Sequence, residues 1–195
     1  MRILSRAFRL LLHPAAEWRS IAAEPATVSE LLGYATVLAA IPAIAGFIGY
    51  SVVGVSLGIH AARLRMPIGP GIERAVVVYV LWVAGVYVAA LLVRAIAPRF
   101  EGRSDLVTGL KVAVHAPTAV WIAGIFALIP PIGILTLLGL YSVYTLAIGL
   151  PIVTGCPPDE SVWFVGAIVL CYLLVAILVA VIGGMIVPGF VGPAP

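Results

Sequence analysis

The stretch Ala75-Val-Val-Val-Tyr79-Val-Leu-Trp82-Val-Ala-Gly-Val-Tyr87-Val-Ala-Ala-Leu-Leu-Val93 carries no charged residue, and Glu73-Arg74 and Arg94 fence it on either side. About 20 apolar residues in helical conformation cross the roughly 30 Å hydrocarbon core of a bilayer. This stretch has that length and that composition, so it reads as a membrane-spanning helix. Four further runs of the same kind lie before and after it, and together they set the fold.

The five runs cover 31–58, 75–93, 109–129, 132–153 and 162–187. Thr27-Val-Ser-Glu30 opens the first as a capping box, in which Thr27 accepts from the third amide and Glu30 reaches back. That run is longer than a span needs, so it tilts, kinks at Pro42 or ends early. Pro130-Pro131 turns the third run into the fourth, because neither residue has an N–H to give to a helix ladder. Pro188-Gly189 ends the fifth. Backbone polar groups in lipid have no water to satisfy them, and nothing here alternates as barrel strands do, so all five runs must be helical. The fold class is an all-α membrane protein. Residues 27–195 form one five-helix transmembrane bundle, preceded by a leader over 1–26.

Composition agrees. Of the 195 residues 63% are apolar and 10% charged, and mean hydropathy is +1.21. Soluble domains run at about 45–50% and about 25% respectively, and so few charges cannot coat a core of this size. An ordinary soluble enzyme, a disordered tail and a disulfide-rich secreted module are excluded. A net charge of +3 is too small for a nucleic-acid binder. The basic groups sit instead at the ends of apolar runs, where they meet anionic head groups. Cys156 lies in a short polar connection and Cys171 inside an apolar run, so no bridge between them is expected.

The leader reads as an amphipathic helix lying in the membrane interface. Arg2, Arg6 and Arg9 recur on one side, while Ile3, Leu4, Ala7, Phe8 and Leu11 fill the other. The three arginines are expected to contact lipid head groups. Pro14 interrupts the helix and can start a second short one carrying Trp18 and Ile21. Leu10–Leu12 is too short for the apolar region of a cleavable signal, so the leader is expected to stay on the mature protein. With the amino terminus in the cytoplasm, eight of the 11 Lys and Arg residues fall on the cytoplasmic side and Arg63, Arg65 and Arg74 outside. That bias places the amino terminus in and the carboxyl terminus out.

The third run carries the residues with the most chemistry. Thr108, Lys111, His115 and Thr118 fall on one helical stripe. Ionisable groups inside a span are costly and usually face a bundle interior or water. One reading is a polar path or a site for an anionic group, with Lys111 as the charge. The other is that Lys111 snorkels while His115 and the threonines bond between helices. Pro117 should free the carbonyl near Ala113, for an ion, a head group or a neighbouring hydroxyl. Tyr141 and Tyr144 on the fourth run complete the candidate intramembrane site, one of them as hydrogen-bond partner of His115. Gly54-Val-Ser-Leu-Gly58 is a small-residue pair that would suit a homo-oligomer contact or packing within the monomer.

A family resemblance runs through most of these residues. It begins at Leu11-Leu12-His13-Pro14-Ala-Ala-Glu17-Trp18-Arg-Ser-Ile21 and continues at Phe100-Glu-Gly102. Next come Lys111-Val-Ala-Val-His115-Ala-Pro117-Thr118, the Pro130-Pro131 hairpin, Leu140-Tyr141-Ser142-Val-Tyr144 and Gly149-Leu150-Pro151. Together they resemble the Yip1 domain family, in its compact bacterial branch. The resemblance implies five spans with a cytoplasmic amino terminus. Eukaryotic members are linked to membrane trafficking and small GTPases. Members commonly carry a basic residue between the fourth and fifth spans, where this chain has Asp159-Glu160.

No catalytic constellation is present. The chain has no H-E-x-x-H, no G-x-S-x-G and no Walker loop, and His13, His60 and His115 fall in separate segments, so no catalytic, cofactor or metal residue is expected. The leading expectation is a non-enzymatic inner-membrane protein that organises membrane or partner proteins. The second is a small transporter or lipid-handling protein that uses the third-run stripe. Membrane lipids are the expected partners, with a homo-oligomer or membrane-protein partner beside them and no nucleic acid.

Overall fold

A computed structural model describes residues 2–56 and 63–186. Gly58, His60, Val187 and the Pro188-Gly189 stop lie outside the described residues, as does the side chain of Arg2. Among the described residues, five helices are long and apolar enough to cross a membrane: Val28–Val53, Ile68–Phe100, Leu106–Leu128, Pro130–Thr154 and Pro158–Ile186. The second span begins and ends several residues beyond the fenced run. Arg74 and Arg94 are therefore part of its helix rather than its flanks.

Two short helices precede the spans, α1 (Arg2–Leu12) and α2 (Pro14–Ala23), and Pro14 occupies the first turn of α2. The first span is α3 (Val28–Phe47), continued by a wider π-helical turn at Ile48–Val53. Its capping box forms as the sequence indicates: the Glu30 amide donates to Thr27 Oγ1 at 3.3 Å, and the Thr27 amide donates to Glu30 Oε2 at 2.8 Å. Of the three options open to this long run, the chain takes the early ending. A small antiparallel pairing follows, β1 (Val55–Ser56) with β2 (Arg63–Leu64), in the register Val55↔Leu64 and Ser56↔Arg63. It is a detail the all-helical reading does not contain.

The second span is α4 (Ile68–Ile96), closed by a 3-10 turn at Ala97–Phe100. The third is broken at Pro117 into α5 (Leu106–His115) and α6 (Thr118–Ala123). The fourth starts at Pro130 with a long 3-10 stretch to Leu140 and continues as α7 (Tyr141–Thr154). The fifth is α8 (Pro158–Ile186).

The third span is the hub of the bundle. Over its most apolar stretch 72% is buried, against 17–33% in the other four. Two apolar clusters flank it. One joins Leu31, Tyr34, Ala35 and Leu38 of α3 to Val86, Ala89 and Ala90 of α4 and to Leu110, Ala113 and Trp121. The other joins Leu10, Trp18 and Ile21 of the leader to Val112, Ala116, Leu146, Leu150, Phe164 and Ile168. Between spans two and three the helices nearly touch. A Cβ on Gly109 would sit 2.5 Å from the Ala90 carbonyl oxygen, which only glycine avoids. The outward sides of the bundle are apolar, with Leu170, Leu173, Leu174, Ile177 and Leu178 exposed along α8. Such a surface has lipid as its solvent.

The leader does not stand apart from this bundle. Leu10, Trp18 and Ile21 are fully or almost fully buried, and α1 and α2 fold back on each other about His13. Tyr141 Oη donates to the Leu11 carbonyl at 3.0 Å. Tyr141 stands 13 residues before Thr154, which accepts from the Arg103 amide at one end of the bundle, or about 20 Å along the helix at about 1.5 Å per residue. The sequence lays the leader in the interface; in the structure it also packs against the fourth span, through Trp18 on Gly149 and Leu11 on Tyr141.

A candidate ligand cleft between the leader and the third span

The cleft is a product of how the leader is held. Glu17 on α2 is 5% exposed and receives Arg6 and Arg9 of α1. Arg6 Nε donates to its Oε1 at 3.0 Å, and Arg9 Nε donates to its Oε2 at 2.7 Å. Arg6 also pairs with Glu24, which accepts from Ser20 Oγ at 2.6 Å as well. The hydrogen bond from Ser20 and then that from Arg6 hold the Glu24 carboxyl below the usual range. The bond that Arg9 donates to Glu17, and then the charge of Glu17, push Arg9 up.

Lys111 fixes the other end of α2. Its Nζ donates to the carbonyls of Ala22, at 3.1 Å, and Glu24, at 2.7 Å. These carbonyls end a helix and have no partner within it, and a cation there also meets the negative end of the helix dipole. The lysine therefore ties the leader to the third span. Asp105 starts that span as its cap, accepting from the Thr108 amide at 2.8 Å and from Thr108 Oγ1 at 2.5 Å. Partial burial pushes the Asp105 carboxyl up, but these bonds from Thr108 outweigh it, and the group lies below its ordinary range.

His115 lies one helical turn deeper than Lys111 and is 1% exposed. Its Nδ1 is 2.8 Å from the Lys111 carbonyl oxygen. The ring lies 4.5 Å from that of Tyr34 and 6.0 Å, edge-on, from that of Trp18. Thr118 Oγ1 donates to the His115 carbonyl at 2.6 Å and lies 2.9 Å from Tyr34 Oη. Trp18 Nε1 is buried with no hydrogen-bond partner among the described residues. Its indole rests on Gly149 of α7, where a Cβ would overlap the ring.

Around these groups lies a cavity of 730 Å³, walled by Arg6, Arg9, Glu24, Tyr34, Lys111 and His115, with Ile3, Ile21, Glu30 and Leu31 among the rest of its lining. Its size falls within the range of small-molecule sites, about 300–1,000 Å³. Apolar and ionic groups share its wall, which suits an amphiphile better than a purely polar or purely apolar guest.

The sequence stripe is thus divided. Lys111 and His115 reach the cleft, Thr118 supports it from behind through Tyr34, and Thr108 caps its own helix. Tyr141 and Tyr144 stand elsewhere. Tyr141 bonds to Leu11, Tyr144 is 53% exposed, and their rings face each other at 5.2 Å. Neither meets His115, whose aromatic neighbours are Trp18 and Tyr34. The stripe faces span one and the leader where the sequence suggests span four, because the leader takes the place beside α7. Arg6 and Arg9 spend donors on Glu17 and Glu24.

Pro117 acts as its chemistry requires. The Ala113 carbonyl, freed by the missing N–H, accepts from Tyr172 Oη at 3.2 Å, and Ala116 accepts from Thr145 Oγ1 at 3.4 Å. Neighbouring hydroxyls take these carbonyls. The partners that sequence reading overlooks are Glu17, Glu24 and Tyr34. The signal for the first two is the helix–proline–helix pattern itself, which folds Glu17 and Glu24 back onto basic α1.

The Yip1 domain family model matches residues 8–182. Inner membrane protein YohC of Escherichia coli strain K12 is similar to the chain. It is 28% identical over 182 residues, covering 88% of this chain and 93% of that protein. The same protein from E. coli O6:H1 strain CFT073 is 28% identical over the same extent. No solved structure matches.

Proposed function

The chain belongs to the Yip1 domain family, and from that premise we propose that it is a non-enzymatic, lipid-handling protein of a bacterial inner membrane, holding a phospholipid by its head group between leader and bundle. One observation carries the reading: a 730 Å³ cavity bounded by three cations, two carboxylates and apolar side chains, set in a protein whose outer surface is lipid-facing. A role in organising partner proteins would use the polar face of the leader. Arg6 and Arg9 on that face line the cavity itself, so the lipid reading is preferred.

The location rests on the E. coli relative, an inner membrane protein by name. The orientation follows from the arginine bias: amino terminus and cleft toward the cytoplasm, carboxyl terminus outside. The cleft then opens on the cytoplasmic half of the membrane. The test is photo-crosslinking with a phospholipid carrying a diazirine on the first carbons of its acyl chain. Adducts are expected on Ile21, Leu31 and their neighbours in the cleft. Adducts confined to the outer face of α8 would overturn the proposal.

A further inference from the structure

This inference rests on the head-group reading and concerns the chemistry of that head group. The cleft wall presents Arg6, Arg9 and Lys111 against Glu24 and Glu30. Glu17, bound to both arginines, stands behind them and brings the local charges to balance. A net-anionic head group gains little from a balanced wall. A zwitterion finds a partner for each of its charges.

The hydrogens narrow the choice. Thr118 Oγ1 uses its proton on the His115 carbonyl. The bond between Tyr34 Oη and Thr118 Oγ1 must then be donated by Tyr34. A carbonyl can only accept, so His115 Nδ1 carries the proton that it gives to Lys111, and in the neutral ring Nε2 is left as a lone-pair acceptor. The inner wall therefore offers acceptors, Nε2 and the Tyr34 oxygen, together with the Tyr34 ring face. Spare N–H groups of arginine and lysine lie on the same cavity, since Arg6, bound to Glu17 and Glu24, and Arg9, bound to Glu17, each have more donors than these bonds use.

We propose that the cleft selects a phospholipid whose head group ends in a primary ammonium. The ammonium lies against His115, Tyr34 and Glu30, where its N–H groups meet acceptors and its charge meets a carboxylate and an aromatic ring. The phosphate lies against Arg6, Arg9 and Lys111. A quaternary ammonium would keep the charge but offer no N–H to His115.

The test uses the full chain in nanodiscs of equal phosphatidylethanolamine, phosphatidylcholine and phosphatidylglycerol with matched acyl chains, read by native mass spectrometry. Retained lipid is expected to be enriched in phosphatidylethanolamine about five-fold over each of the others, the ratio one hydrogen bond typically supplies. His115→Leu should retain lipid but bring the ethanolamine-to-choline ratio to about one. Equal retention of ethanolamine and choline lipids by the unaltered protein, or enrichment of phosphatidylglycerol, would overturn this inference and leave the head-group reading standing. Retention of no lipid would overturn that reading and this inference with it. The comparison within the unaltered protein decides the matter even if His115→Leu fails to fold.

Discussion

The Trp18 indole occupies the space that a side chain at Gly149 would need. Nothing in lipid drives apolar groups together as water does, so close packing of this kind holds a helix in place. Gly149→Ala is expected to expel the indole or shift α7, costing about 1–3 kcal/mol. A lowered thermal midpoint in detergent checks it. Trp18→Phe in the same chain should recover part of the loss, since the smaller ring leaves room for the methyl group.

Among the described residues, Glu17 is the one carboxylate that Arg6 and Arg9 of α1 reach in common. Glu17→Gln should release α1 from α2 while leaving the five spans inserted. Arg6 is partly exposed and Arg9 largely so, and the expected cost is below that of a fully buried pair. Limited trypsin cleavage after Arg6 and Arg9 should accelerate several-fold, whereas an unchanged rate would show that the ion cluster does not hold the hairpin.

Lys111→Met leaves the Ala22 and Glu24 carbonyls without their donor. The expected loss is about 1–3 kcal/mol. It should appear as faster hydrogen exchange over residues 17–26, with protection of the third span unaltered. Failure of the variant to insert would mean that the third span is wrongly placed.

Acid should loosen the leader. The carboxyls of Glu24 and Asp105 are both held below their ordinary range. Their contribution is therefore complete above the ordinary carboxylate range, at about pH 4–5, and is lost as pH falls through the lowered folded-state values. Thermal midpoints measured from pH 7 down to pH 3 should decline in that acid window. A Glu24→Gln, Asp105→Asn chain should start lower at pH 7 and decline less.

An odd number of spans puts the two ends of the chain on opposite sides of the membrane. Reporter domains fused to each end in turn should give opposite compartments, with the amino-terminal fusion active in the cytoplasm. Both fusions on one side would contradict the five-span topology.

The spans were legible because membrane insertion is a local property. A run such as Ala75–Val93 must bond its own backbone and meet lipid whatever its neighbours do. The capping box at Thr27 and Glu30 and the freed carbonyl at Ala113 are equally local, the latter set by Pro117 four residues on. The stripe of Thr108, Lys111, His115 and Thr118 was legible too, because helical spacing fixes which residues share a face.

What that face meets was another matter. Tyr34 lies 84 residues from its partner Thr118, and Lys111 lies 87 from the Glu24 carbonyl it holds. No periodicity links such pairs. Hydropathy therefore determined that this chain is a bundle of membrane helices and roughly which segment forms each, since those depend on segments one at a time. Tertiary structure decided that Trp18 fills the gap at Gly149, that the leader's arginines turn inward to Glu17, and that a cleft opens over His115. Each of these needs two distant surfaces to fit, and the fit is a property of their shapes and unspent hydrogen bonds, which no single helix carries alone.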